Sequence, residues 1–162
     1  MTSSLENSNP QIREIGRRCG DCTLCCCAIA VHELGKPTGA ACCHVVGNGC
    51  SIHSGRPAEC RDFDCLWLQG WFDFADRPDA LGVVFFVDCG VVCVTESSPG
   101  ASQNPRVKEI VSRFLEVGTS VVIRNSICVK KISPNGTVEE ALVDQSDPFR
   151  VNIRPETIEI SR

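Results

Sequence analysis

The sequence feature that most constrains this chain is a run of crowded cysteines near its N-terminus. Cys19, Cys22, Cys25 and Cys26 follow one another at the spacing CxxCxxCC, so four thiols fall within eight residues. Two residues between cysteines allow both thiolates to converge on one metal, as they do in zinc knuckles and iron–sulfur loops. Without metal, thiols at this density would be reactive and hard to keep reduced. The run therefore predicts a metal site.

Cysteine is unusually abundant in the whole chain, with 13 among 162 residues. Such a number is typical either of a secreted disulfide scaffold or of an intracellular metal or redox site. Residues 1–11 are polar and contain neither the basic nor the apolar region of a secretory signal. An odd number of cysteines also disfavours a fully paired disulfide framework. We therefore expect a cytoplasmic protein whose cysteines are thiols or thiolates.

Charge and hydropathy narrow the classes of partner. The formal net charge is -4 and no run of Lys or Arg stands out, so we expect no nucleic-acid partner. The longest apolar run, 81–94, is interrupted by Asp88 and is shorter than the roughly 20 residues of a membrane span. We expect no membrane partner either, and the sequence leaves a protein partner open.

The cysteines divide the chain, because ten of the 13 lie between Cys19 and Cys65. We place the boundary near Arg77 and predict an α+β fold, in which a small cysteine-rich metal-binding segment precedes a β-β-α-β-β-β unit. The predicted regions are a flexible N-terminus (1–18), a cysteine-cluster metal-binding region (19–77), a small α+β region (78–143) and a polar tail (144–162).

One helix start is clear in the cysteine region. Pro57 suits the first helical position and Glu59 the first turn. Cys60 would then lie where the helix dipole lowers the pKa of a thiol. The apolar pattern of Phe63, Leu66, Trp67 and Phe72 predicts that this helix continues. We expect four aromatic residues to pack in the core beside the metal site, with a binding groove as the alternative: Trp67, Trp71, Phe72 and Phe74.

The α+β region has stronger patterns. Two β-rich runs, 82–87 and 91–95, flank Asp88-Cys89-Gly90 and predict a hairpin. Asn104-Pro105 begins a helix with apolar residues at helical spacing, and Gly118 ends it. Three further strands are predicted at 121–124, 127–132 and 137–143. The remaining cysteines lie in apolar strand patterns and are expected in the core: Cys89, Cys93 and Cys128.

Further candidate ligands follow the first run: Cys42, Cys43, His44, Cys50, Cys60 and Cys65. Four thiolates on one divalent ion leave a net charge of about -2, which nearby arginines would offset. The flanking arginines are Arg17, Arg18, Arg56 and Arg61. Surface ion pairs are the alternative explanation for them. A histidine beside cysteines is more often a neighbour of the site than a ligand, and we expect this of His44 and His53.

Together these motifs resemble a known family. CxxCxxCC is followed by Cys-x-Ile-His-x-x-Arg-Pro-x-x-Cys-Arg-x-Phe-x-Cys from Cys50 to Cys65, and Lys36-Pro37 precedes Cys42. The segment from Cys19 to about Trp71 resembles the YkgJ-type cysteine-cluster proteins, which are described as zinc- or iron-chelating domains.

The resemblance implies eight metal ligands, namely Cys19, Cys22, Cys25, Cys26, Cys42, Cys50, Cys60 and Cys65. This chain departs from the family pattern at two places. Many relatives have a Cys-Pro-His-Cys step whose last cysteine is Val45 here, so Cys43 is an alternative ligand. Cys27 is an additional cysteine.

Eight thiols permit two arrangements. Two zinc sites would use four thiolates each, or four thiols would hold an iron–sulfur cluster while the others bind zinc or stay free. An ordinary ferredoxin loop is excluded because its fourth cysteine would be Ile29. Longer relatives, the flagellin lysine methylases, are described as carrying an iron–sulfur cluster in such a motif, which slightly favours iron–sulfur.

No catalytic residues are evident in the sequence, which has no Ser-His-Asp set, phosphate loop or dinucleotide fingerprint. We therefore expect a structural or sensory metal-binding module that works with a partner. Two alternatives are a redox or protein- or peptide-modifying enzyme or subunit, and a metallochaperone. The catalytic residues and the small-molecule substrate of such an enzyme are not predicted.

Overall fold

A six-stranded sheet dominates the computed structural model, which describes residues 16–147 and the backbone of 151–157. The predicted α+β class is confirmed. The helices are α1 (Leu24–Ala28), α2 (Ala58–Arg61), α3 (Pro78–Leu81) and α4 (Pro105–Glu116). The strands are β1 (Val45–Val46), β2 (Gly49–Cys50), β3 (Val83–Asp88), β4 (Val91–Glu96), β5 (Val121–Arg124), β6 (Cys128–Ile132), β7 (Val138–Val143) and β8 (Val151–Thr157).

The sheet has the order β3-β4-β5-β6-β7-β8. Only β4 and β5 pair in parallel, because α4 carries the chain back between them. The predicted hairpin is confirmed, with Asp88 opposite Val91 and a two-residue turn at Cys89-Gly90. Both turn residues have positive φ, 48° and 77°, which suits the twist of a hairpin. Cys89 is exposed in this turn, so its predicted core position is wrong, whereas Cys93 and Cys128 are half-buried.

Helix α4 begins and ends where the sequence predicts. The Asn104 side chain accepts a hydrogen bond from the Arg106 N–H at 2.9 Å, and Gly118, with φ 83°, follows the last turn. Its apolar face packs on the sheet in a core formed by Leu66, Leu81, Val83, Phe85, Val92, Val94, Val107, Ile110, Val111 and Val121. In the part of the chain that the structure describes, no helix has the length and apolar character of a membrane span.

The structure describes part of the predicted polar tail but little of the predicted flexible N-terminus. Most of the predicted flexible N-terminus lies outside the described residues. In the segment predicted as a polar tail, β8 pairs antiparallel with β7, so the unit gains one strand beyond the predicted order. The sequence hides this strand because it contains Pro155. Proline is tolerated in an edge strand, and β8 lies at an edge of the sheet.

The helix predicted from Pro57 is much shorter than expected. Pro57 is the N-cap of α2, which ends at Arg61, and the chain then runs through turns. The Leu66 N–H donates to the carbonyl of Phe85 on β3 at 2.8 Å. The apolar residues after α2 therefore pack as a turn beside the sheet edge instead of continuing a helix.

The aromatic residues of this turn are divided between core and surface. Trp67 is buried and Phe72 is half-buried, as predicted. Trp71 and Phe74 are 58% and 69% exposed, so their predicted core positions are wrong.

An ion pair joins the cysteine region to α4. The buried Asp76 carboxylate accepts two hydrogen bonds from the Arg106 guanidinium, at 2.9 and 2.7 Å. Arg77 also donates to Asp21 at 2.7 Å, close to Cys22 in the chain. The first pair joins the end of the cysteine region to α4, and the second joins the two ends of that region to each other.

Candidate metal centre

A cavity of about 230 Å³ lies between α1, β2, α2 and the edge of the sheet at β3. Its wall contains eight thiols, those of Cys19, Cys22, Cys25, Cys26, Cys42, Cys50, Cys60 and Cys65. These are the eight residues that the sequence motif predicts as ligands. The two cysteines left in doubt, Cys27 and Cys43, do not line the cavity.

The thiols surround the cavity without forming a coordination sphere. All 13 cysteines are free thiols. Within residues 16–147, no group of three or more Cys, His, Asp or Glu side chains is arranged so as to hold a metal ion. In donor type and number, however, the residues fit thiolate-bound metals, because soft sulfur ligands suit zinc and iron–sulfur clusters and eight thiols can make two four-thiolate centres.

Helix α1 brings two adjacent thiols to the cavity. A side-chain hydrogen bond from Cys25 lowers the pKa of Cys26 to about 6, and the same bond raises the pKa of Cys25. Lys36 and Arg56 act in the same direction on Cys26. Cys26 is therefore readily available as a thiolate, the form that binds metal.

Cys60 and Cys65 lie after the turn at Pro57 and are harder to ionise. Burial raises the pKa of Cys65, which is only 7% exposed. Burial and then the thiolate charges of its neighbours also raise the pKa of Cys60. The prediction that the dipole of α2 lowers the pKa of Cys60 is wrong. A helix of four residues has a small dipole, and burial, followed by the charges of the neighbouring thiols, outweighs it.

A buried lysine in the cavity wall was missed by sequence reasoning. Lys36 is 6% exposed, and its ammonium donates a hydrogen bond to the carbonyl of Ile29. Burial lowers its pKa, and the thiolates of Cys42 and Cys26 oppose that shift. In the sequence Lys36 appears only as part of the Lys36-Pro37 motif before Cys42, with no role at the site predicted for it.

Of the four arginines that flank the cysteines, Arg56 acts on the thiols. Its charge lowers the pKa of Cys26 and partly offsets the effect of burial on the pKa of Cys19. Arg17 instead donates to the carbonyls of Trp67 and Phe72, at 2.8 and 2.6 Å.

The two other arginines lie at the surface. Arg61 is exposed and pairs with Asp62 at 3.4 Å, and Arg18 is exposed as well. The surface-pair explanation is confirmed for Arg61, and the explanation that arginines offset the charge of a metal centre stays a prediction.

The two candidate histidines, His44 and His53, are placed differently. His53 lines the cavity at an exposed position, and its Nε2 contacts the guanidinium of Arg56. His44 is half-buried and does not line the cavity. The rest of the wall combines apolar residues, such as Ile29, Phe63 and Trp67, with charged ones, such as Glu59 and Asp64.

Comparison with known proteins adds no relative to this description. No protein-family model, no curated protein and no solved structure matches the chain. The resemblance to the YkgJ-type proteins therefore rests on the cysteine motifs alone and stays a prediction.

Proposed function

We propose that this protein is a metal-binding module that holds zinc or an iron–sulfur cluster through the eight thiols of the cavity. The observation that carries this proposal is their gathering. Eight cysteines spread over 47 residues, from Cys19 to Cys65, all line one cavity, while Cys27 and Cys43 do not. In a reducing compartment such as the cytoplasm these thiols would stay free to bind metal.

The electrostatics of the cavity support metal thiolates. A divalent ion with four thiolates carries a charge of about -2, so two such centres would place about -4 in the cavity. Lys36 and Arg56 lie beside the thiols and would offset part of that charge, whereas the carboxylates of Glu59 and Asp64, which also line the cavity, act in the opposite direction. Burying a lysine is costly unless anions surround it, and thiolates supply them.

The exposure of the ligands favours a module that keeps its metal over one that delivers it. Among the eight thiols only Cys19 is exposed, and Cys65 is buried. Four thiolates also complete a tetrahedral zinc site and leave no open position for a substrate. A structural or sensory role fits this arrangement better than a metallochaperone or a catalytic metal site does.

Two neighbouring cysteines provide a matched test of this function. Cys42→Ser should lower the metal content, measured per chain by mass spectrometry of the elements after purification without oxygen. Cys43→Ser changes an exposed thiol outside the cavity and should leave the metal content unchanged. Equal metal contents in the two variants, or a folded wild-type protein without metal, would contradict the proposal.

A further inference from the structure

We propose that Lys36 is the buried counter-charge of the metal thiolates in the cavity and donates hydrogen bonds to their sulfur atoms. This inference rests on the proposed function and adds to it a positioning residue that is not itself a ligand. The observation behind it is a buried positive charge that has no carboxylate partner among the described residues.

Three charged residues are buried in the described part of the chain, and two of them have partners that explain their burial. The Asp76 carboxylate pairs with the Arg106 guanidinium, at 2.9 and 2.7 Å. Both oxygens of the Glu96 carboxylate accept hydrogen bonds, one from a backbone N–H at 2.7 Å and one from an asparagine side chain at 2.6 Å. Buried charges in this fold are therefore compensated as a rule.

Lys36 is the third buried charge, and its partner is a neutral group. The carbonyl of Ile29 accepts a hydrogen bond from its ammonium, which has three N–H bonds to donate. Within residues 16–147, no aspartate or glutamate forms an ion pair with Lys36. Burial of an ammonium is costly unless an anion compensates its charge, and one carbonyl does not do so.

The thiols of the cavity can supply the missing anions. Glu59, a carboxylate of the cavity wall, is engaged by His32 at 3.1 Å and by the Glu33 N–H at 3.3 Å. Burial lowers the pKa of Lys36, and the largest influences that raise it are the charges of Cys42 and Cys26. Thiolates are thus the negative groups that act most strongly on this lysine.

The hydrogen bond to Ile29 places the ammonium at the end of α1. Ile29 is the C-cap of this helix, and its N–H donates to the carbonyl of Cys25 at 3.0 Å. The ammonium therefore lies about one helical turn from the adjacent thiols of Cys25 and Cys26. Lys36 lines the same cavity as both of them.

Backbone contacts hold the segment that carries Lys36 against α1 and the turn after it. The N–H and the carbonyl of Lys36 both bond to Val31, at 3.0 and 2.8 Å. Further along the same segment, the Cys42 N–H donates to the carbonyl of Cys26 at 2.9 Å. Lys36 is therefore fixed beside two pieces of chain that both carry proposed ligands.

A positive donor at this place would stabilise bound metal in two ways. Its charge offsets the negative charge of a four-thiolate centre, and its free N–H bonds can donate to cysteine sulfur. Groups that hydrogen-bond to metal ligands typically contribute 10–100-fold to metal affinity. The alternative is that Lys36 only caps α1, but a neutral donor would satisfy the Ile29 carbonyl as well.

Lys36→Met tests this role, because methionine has nearly the length of lysine but neither its charge nor its N–H bonds. The probe is cobalt(II), whose sulfur-to-cobalt charge-transfer band reports on the electrons of the thiolates. The variant should bind cobalt(II) about 10–100-fold more weakly in competition with a chelator, and its band should move to longer wavelength. Lys108→Met makes the same change at an exposed position of α4 and should change neither value.

The position of the band separates a charge role from a capping role. Weaker binding of cobalt(II) with an unmoved band would mean that Lys36 supports the fold alone, and would overturn the inference. Wild-type affinity in Lys36→Met would overturn it as well and leave the proposed function intact. Failure of the wild-type protein to bind cobalt(II), zinc or iron would overturn the proposed function itself.

Lys36→Arg keeps the test decisive if Lys36→Met does not fold. Arginine retains the positive charge and the N–H donors, so this variant should bind cobalt(II) within about tenfold of the wild-type affinity. An equal loss of cobalt(II) binding in Lys36→Met and Lys36→Arg would show that the cavity requires the shape of lysine instead of its charge, and would overturn the inference.

Discussion

The proposed metal binding predicts that a chelator unfolds the cysteine region, residues 19–77, while the six-stranded sheet keeps its fold. The regular elements of the cysteine region are too short to be stable alone, with five residues in α1, four in α2 and two each in β1 and β2. The sheet and α4 instead share a continuous apolar core. Structural zinc contributes about 10–16 kcal/mol to the folding of zinc-finger peptides, so its loss has a large effect.

Hydrogen–deuterium exchange mass spectrometry measures this directly. After chelation, amides in α1, β2 and α2 should exchange at least about 100-fold faster, whereas those in β4, β5 and α4 should keep their protection. Added zinc should restore the original rates, which controls for damage by the chelator. Unchanged exchange in the cysteine region of a demonstrably metal-free protein would contradict the account, because the thiols would then hold nothing that stabilises the fold.

Trp67→Ala is expected to reduce the free energy of unfolding by about 3–5 kcal/mol, the usual cost of removing a large buried aromatic side chain. Trp67 is 3% exposed and packs with Cys65 and Val84. Its indole N–H donates to the carbonyl of Phe74 at 3.2 Å, and the Arg17 guanidinium lies 5.2 Å from its ring centre. The substitution would therefore leave a cavity directly behind the thiols.

Trp71→Ala is the matched control. Trp71 is four residues away in the same turn and is 58% exposed, so its loss should cost less than about 1 kcal/mol. Urea unfolding of both metal-loaded variants, followed by far-ultraviolet circular dichroism, gives the two values. Similar losses of stability in the two variants would show that Trp67 does not have the packing role assigned to it.

The local features of the fold could be predicted from the sequence because their causes are local. The Asp88-Cys89-Gly90 turn and the Asn104-Pro105 helix start depend on residues next to one another, and both occur where predicted. The hidden strand β8 and the early end of α2 depend on pairing with distant segments. No sequence pattern within β8 or at the end of α2 indicates pairing with a distant segment.

In the candidate site, too, the local features could be predicted and those that depend on distant segments could not. The spacing of the cysteines and the family resemblance selected eight residues, and all of them line one cavity. How they come together could not be predicted, because it depends on contacts between distant segments, such as the hydrogen bond from the Cys42 N–H to the Cys26 carbonyl. The positions of Lys36 and Arg56 beside the thiols could not be predicted either, because a sequence does not show whether a basic residue lies at the surface or in a cavity.

X-ray absorption spectroscopy of the metal, on protein purified without oxygen, tests most directly whether cysteine thiolates hold metal in this chain. The account predicts a first coordination shell made of sulfur alone, with about four atoms per ion at about 2.3 Å for zinc. A sulfur shell is equally expected for iron in an iron–sulfur cluster. A first shell of oxygen or nitrogen atoms, or a folded protein that contains no metal, would contradict it.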